Sequence, residues 1–177
     1  MRTALFCSLL LIILLGLYGM GNSSEHARKQ DVAAVANAQY RAECGSCHLA
    51  YPPGLLPGRS WEKLLQQLAD HFGENAEVQE EVRQALQSYL QNNAADRVDY
   101  QKSRKMVASI PAGQTPLRIS EIPYFRHEHG ENKEVKVYGS GEKLSLARCE
   151  QCHPLAEQGS FHEHELRLPG KGAANRP

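Results

Sequence analysis

Apolar residues recur at helical spacing over three stretches of this chain, and those stretches set its predicted framework. Trp61, Leu64, Leu65, Leu68, His71 and Phe72 share one face, which predicts a helix from Trp61 to Phe72 with Ser60 as N-cap and Gly73 as its stop. Val78, Val82, Ala85, Leu86, Tyr89 and Leu90 form a second stripe opposite Glu77, Glu80, Glu81 and Arg83. They predict a helix capped by Asn75 and ending near Asn92, with a solvated polar face. An alanine-rich run from Asp31 to Glu43, with Val32, Val35 and Tyr40 toward one side, predicts a helix capped by Asp31 that runs directly into Cys44. Tyr51 to Gly58 holds three prolines and two glycines in eight residues and is predicted to be irregular.

Periodicity weakens beyond Asn92. Residues 93–115 show no sustained face and read as connection. Ser120 and Pro123 suggest a turn into a short helix carrying Tyr124, Phe125, His127 and His129. Val135 to Tyr138 alternates like a short strand ahead of the turn Gly139-Ser140-Gly141. The tail from Pro169 to Pro177, with four small residues and two prolines, is expected to be mobile. The prediction is a mainly α chain of two small units, 25–92 and 116–177, joined by 93–115, the second less regular than the first.

Residues 1–24 run from Arg2 through an apolar stretch, Leu9 to Leu15, to small and polar residues around Gly19 to Ser24. That is the order of a secretory signal peptide. An uncleaved anchor is the competing reading, but the run, broken by Gly16 and Gly19, barely reaches the roughly 17 residues a spanning helix needs. Cleavage and export to the periplasm are therefore expected, with contact to a membrane only if the segment stays. The remaining composition, 41% hydrophobic and 23% charged, belongs to a globular chain. Lys plus Arg and Asp plus Glu are equal at 20 each, which argues against nucleic acid as a partner.

Four of the five cysteines fall in two pentapeptides, Cys44-Gly45-Ser46-Cys47-His48 and Cys149-Glu150-Gln151-Cys152-His153. C-x-x-C-H is the attachment pattern of c-type haem. Two thiols three positions apart can each add to a vinyl group on one porphyrin edge, while the next residue brings an imidazole under the iron. A zinc ribbon would place its two C-x-x-C knuckles roughly 15 to 20 residues apart, whereas about a hundred intervene here. No surrounding βαβ pattern supports a thioredoxin-like site, and neither alternative explains a histidine after both pairs. Two covalently bound haem c groups are expected, on Cys44, Cys47 and His48 and on Cys149, Cys152 and His153. Export agrees with this, since c-type haem is joined on the far side of the cytoplasmic membrane.

Each iron then needs a sixth ligand. A lone histidine on an apolar face is ordinarily a core residue with a satisfied hydrogen bond. The face that carries His71 has a haem to cover, with Leu55 and Leu56 as further apolar contacts, so His71 is read as the ligand of the first iron. His129 lies four residues after Phe125 on the same helical side, which favours it for the second iron; His127, two after Phe125, is the alternative. Met106 is the sole methionine beyond the N-terminal segment, but no amphipathic face carries it. His162 and His164 are spare in this count and are expected to be exposed. Lys102, Arg104 and Lys105 could form a docking patch, though a solvated basic run is the commoner outcome.

Together these motifs resemble the bacterial dihaem cytochrome c family. The resemblance rests on the first C-x-x-C-H with Tyr51-Pro-Pro-Gly-Leu-Leu-Pro, Ser60-Trp61 and His71-Phe72-Gly73. It extends to Arg118-Ile119-Ser120, Phe125 with His129, and the second C-x-x-C-H with Ala156, Gly159 and Leu166-Arg167-Leu168-Pro169. It implies bis-histidine haems, His48 with His71 and His153 with His129. It further implies electron transfer with other redox proteins, among them small monohaem cytochromes and membrane b-type cytochromes. The leading expectation is an exported electron carrier rather than an enzyme. A haem enzyme or gas sensor with one open iron, with Arg126 or Glu128 as distal group, and a dihaem subunit of a larger reductase are the alternatives.

Overall fold

The computed structural model describes residues 30–130, 134–136 and 143–168; the N-terminal segment, the Gly139-Ser140-Gly141 turn and the tail from Pro169 lie outside the described residues. Five α-helices and six short 3-10 turns carry the described chain, with one small antiparallel pair of strands. The helices are α1 (Ala38–Cys44), α2 (Gly58–Gln66), α3 (Glu80–Asn92), α4 (Gln101–Ser109) and α5 (Pro123–His129). The fold is mainly α, as the periodicity predicts. No helix among the described residues is long and apolar enough to cross a membrane.

The expected helices exist, but each is shorter than its apolar pattern. The first does not start at Asp31. Residues 31–37 are not helical because their amides have other partners: Asp31 and Val32 donate to the Gly159 carbonyl at 3.0 and 3.2 Å, and Val35 donates to Glu157 at 2.9 Å. The helix starts at Ala38, where Asn37 caps it by accepting from the Tyr40 amide at 2.8 Å. The second helix ends at Gln66 rather than Phe72, and Ser60 lies inside it, fully buried, while Pro57 precedes its first turn. The third begins at Glu80. Asn75 instead folds a local turn by accepting from the Glu77 amide at 2.8 Å, and Glu80 and Glu81 occupy the first helical turn, where the helix dipole favours acid.

The stretch read as connection, 93–115, contains α4. Its Ser103 and Met106 are buried, with Met106 only 5% exposed in the core. A helix with one narrow buried edge leaves little periodic signal, so sequence pattern does not reveal it. The basic residues on this helix are engaged within the molecule. Lys102 lies 3.9 Å from Asp31, Arg104 pairs with Asp99, and Lys105 stands over the Tyr124 ring at 5.3 Å.

The core runs from Val32 and Val35 through Leu55, Leu56, Trp61, Leu86 and Leu90 to Ile122 and Phe125. Each such side chain contributes roughly 1.5 to 3 kcal/mol by leaving water. The proline-rich loop is part of this core: Pro52, Pro53, Leu55, Leu56 and Pro57 are all buried. Trp61 fixes it by donating from Nε1 to the Pro53 carbonyl at 2.8 Å, and Ala95 donates to Leu56 at 2.9 Å. Strand β1 (Glu134–Lys136) pairs with β2 (Lys143–Ser145) in the register Val135 to Leu144, close to the predicted strand.

Candidate functional site

The two pentapeptides are presented by different devices. Cys44 is the last residue of α1, and the chain turns at once because the Gly45 amide donates to the Arg41 carbonyl at 3.0 Å. A Cβ at position 45 would stand 2.3 Å from that carbonyl, so the turn requires glycine. Cys149 opens a 3-10 turn, Cys149–Gln151, in which the Cys152 and His153 amides both donate to the Cys149 carbonyl, at 3.1 and 2.7 Å. The four cysteines carry no disulfide. Burial pushes the Cys44 thiol up to about 11 and the Cys149 thiol up to about 12, with Glu43 and Glu150 adding to the respective shifts. Such thiols stay neutral, and a low-polarity setting suits a thioether better than a thiolate.

Each motif histidine faces a second histidine. His48 and His71 have ring centroids 6.3 Å apart with planes 23° from parallel. His153 and His129 have centroids 6.0 Å apart with planes at 68°. With each metal–nitrogen bond about 2 Å, and each nitrogen about 1 Å from the centre of its own ring, a metal between two imidazoles spaces the ring centres by about 6 Å. Both pairs meet that spacing. Among the described residues no cluster of three or more His, Cys, Asp or Glu could hold a metal ion. Two opposed imidazoles beside a pair of thiols are a donor set for a metal whose other four ligands come from a macrocycle.

Hydrogen bonds select the ligating nitrogen. His48 Nδ1 lies 2.7 Å from the Leu49 carbonyl, and His129 Nδ1 lies 2.9 Å from the Phe125 carbonyl. A carbonyl only accepts, so Nδ1 carries the proton in both rings and Nε2 keeps a free lone pair, the form in which an imidazole can bind a metal. Burial, then the neighbouring His48 and Arg118, hold His71 below the usual histidine range. Burial, His129 and Lys102 lower His153 to about 4, against the opposing pull of Asp31. Both rings are neutral near pH 7, the form that binds metal.

His71 reaches this position from a turn rather than from a helix face. A short 3-10 turn, Leu68–Asp70, follows α2, and His71 pairs with Glu74 through a backbone bond of 2.7 Å. Phe72 at φ 62° and Gly73 at φ 100° reverse the chain between them, and Asp70 Oδ1 accepts from the Gly73 amide at 2.9 Å. Holding a phenylalanine in the left-handed region costs roughly 1 to 3 kcal/mol. The Arg118 guanidinium packs on the Phe72 ring, 3.7 Å from its centre. That pocket, about 350 Å³, is lined by Leu64, Asp70, His71, Phe72, Leu117 and Arg118.

His129 arrives as predicted, on the helix α5, with its ring stacked on Phe125 at 4.0 Å. His127 points elsewhere: its side chain is 84% exposed, beside Glu128 at 3.3 Å. Met106 is in the core, and both positions opposite the motif histidines are occupied by histidines. His162 and His164 stack on each other at 5.3 Å, with His162 3.8 Å from Asp31 and His164 3.7 Å from Glu165.

Three contacts at the site were not legible in the sequence. Tyr51 stacks on His48 at 4.9 Å, Phe161 meets His153 edge-on at 5.2 Å, and Asp31 accepts the Phe161 amide at 2.8 Å. An aromatic residue three positions after the first motif is a faint signal for Tyr51. Nothing in the pattern links Asp31 with a residue 130 positions away.

With this geometry the relatives can be placed. The dihaem cytochrome c family matches residues 40–161 of the chain. A diheme cytochrome c from Rhodobacter sphaeroides is 38% identical, with a TM-score of 0.62, over 73% of this chain and 100% of that one. A diheme cytochrome type c from Shewanella baltica OS155 is 34% identical, with a TM-score of 0.59, over 76% of this chain and 94% of that one. A comparison with curated protein sequences gives no match. The chain belongs to the dihaem cytochrome c family, and it carries two covalently bound haem c groups with their iron.

Proposed function

We propose that this protein is an exported electron carrier whose two haems are each held between two histidines, His48 with His71 and His153 with His129. The observation that carries this reading is the second imidazole facing each motif histidine, at ring spacings of 6.3 and 6.0 Å. When bound, haem supplies a one-electron ferric/ferrous couple. The chain supplies everything that fixes that couple in place. Cys44, Cys47, Cys149 and Cys152 would attach the two groups, and the four histidines would ligate the irons and leave no open position for a substrate. The Leu49 and Phe125 carbonyls hold the Nδ1 protons of His48 and His129, while Tyr51, Phe125 and Phe161 lock three of the rings by packing.

Imidazole on both faces of a haem favours a lower potential than methionine ligation, so this is a low-potential carrier. Its partners are other redox proteins, a small monohaem cytochrome or a membrane b-type cytochrome, met through small transient interfaces. The apolar segment of residues 1–24 directs the chain to the periplasm, where the haems are attached.

Stopped-flow mixing of the reduced dihaem protein with an oxidised monohaem cytochrome c tests this role. Second-order oxidation of both haems, without turnover of added peroxide, is the expected result. Peroxide turnover with no transfer to the cytochrome would replace the carrier by an enzyme.

A further inference from the structure

Between the two haem seats stands one side chain that touches both. The Tyr51 ring stacks on His48, with centroids 4.9 Å apart and planes 24° from parallel. Its hydroxyl, at the other end of the same ring, donates to the Ala147 carbonyl at 2.5 Å, two residues before Cys149. Its own carbonyl is held in turn, accepting from the Tyr40 hydroxyl at 2.8 Å, and Tyr40 is a buried member of the core on α1, four residues before Cys44. Burial keeps the phenol protonated, well above the usual tyrosine range. Ala147 lies next to the short strand that leads into the second motif.

This arrangement does more than pack a histidine. A phenylalanine would stack on His48 equally well, so what tyrosine adds is the hydroxyl's tie to the Ala147 carbonyl. That partner is a backbone atom of the second motif's own approach, so displacing the hydroxyl moves one seat against the other. A rigid aromatic ring with a fixed tip defines a separation, and a long flexible side chain would not.

We propose that Tyr51 is the positioning residue that holds the two haem seats against each other and thereby sets the rate at which an electron passes between them. The exchange balances internally: one iron loses the electron that the other gains, with no bond made and no further reagent. The inference rests on the dihaem carrier reading above, because a protein with one functional haem would have no such exchange.

The test is the exchange rate between haems in half-reduced holoprotein, read by NMR exchange between the haem methyl signals and extrapolated to zero protein concentration. Tyr51→Phe keeps the stack and loses the tie to Ala147, whereas Tyr51→Leu loses both. The expected result is a rate reduced several-fold in both variants and further in Tyr51→Leu. The spectra of both variants should remain low spin. Unchanged exchange in both variants overturns the proposal, even where thermal stability falls, because Tyr51 is then packing alone. Carbon monoxide binding by the unsubstituted protein would sink the bis-histidine reading by itself and leave the exchange rates to judge Tyr51.

Discussion

The two haem seats of this protein do the same chemistry with opposite construction. The first is built from regular structure: α1 delivers Cys44, while α2 and the turn after it bring His71 over a core of Trp61, Leu64 and Leu65. The second takes only His129 from a helix, α5, and is otherwise built from turns. Its C-x-x-C-H lies in a 3-10 segment, and two further 3-10 turns, Ala156–Gln158 and Glu163–Glu165, complete the surround. What it lacks in helices it takes from the rest of the molecule. The segment 31–35 hydrogen-bonds to Glu157 and Gly159, Arg41 pairs with Glu157 at 2.6 Å, and Asp31 anchors Phe161, which packs on His153. A covalent cofactor allows this economy, since the thioethers hold the haem while borrowed backbone aligns the ligand.

If that contrast is right, the seats should respond to different substitutions. The largest loss should come from the core under the first seat. Trp61 is 6% exposed and donates to the Pro53 carbonyl, so Trp61→Ala should cost about 3 to 5 kcal/mol in denaturant unfolding of the holoprotein. It should also disturb the first haem's spectrum before the second's.

Gly159→Ala reverses the order of the haems. Gly159 adopts φ 78°, and a Cβ there would stand 2.2 Å from the Val32 carbonyl, so a side chain forces the 31–35 segment away. A cost of about 1 to 3 kcal/mol is expected, with the second haem's spectrum and potential moving first. Equal effects of both substitutions on both haems would mean that the seats are one cooperative unit.

The smallest effect belongs to the exposed face of α3. Hydrogen bonds from Arg83 and Gln84 hold the Glu80 carboxyl at about 2, below its ordinary range. A carboxyl lowered by folding adds stability above its unfolded value of about 4.3 and loses it as pH falls toward the folded value. Glu80→Gln should therefore be slightly less stable than the parent at pH 7 in urea titrations, and the gap should close near pH 2. Because the pair is open to solvent, neither haem spectrum should change.

The chemistry was far more legible in the sequence than the shape. Both attachment motifs could be read from spacing, because vinyl addition and axial ligation impose it. His129 could be placed because α5 is regular enough for a spacing of four to mean one face. His71 was expected on a helix face, but the helix proposed to carry it stops at Gln66 and a left-handed Phe72 turns the chain back. The run 31–37 reads as helix by composition, yet its amides are claimed by residues more than a hundred positions away, and no local pattern records that. The same holds for α4, whose burial comes from contact with α5 and the proline-rich turn. Local propensity is a weak prior against such partners.

The central claim is that both irons are closed by histidine. The direct measurement is the absorption spectrum of the fully reduced protein before and after carbon monoxide is added. The account predicts no change, with the low-spin spectrum of two six-coordinate haems retained. A carbon monoxide complex at either haem would contradict it, because one of His71 and His129 would then not be holding its iron.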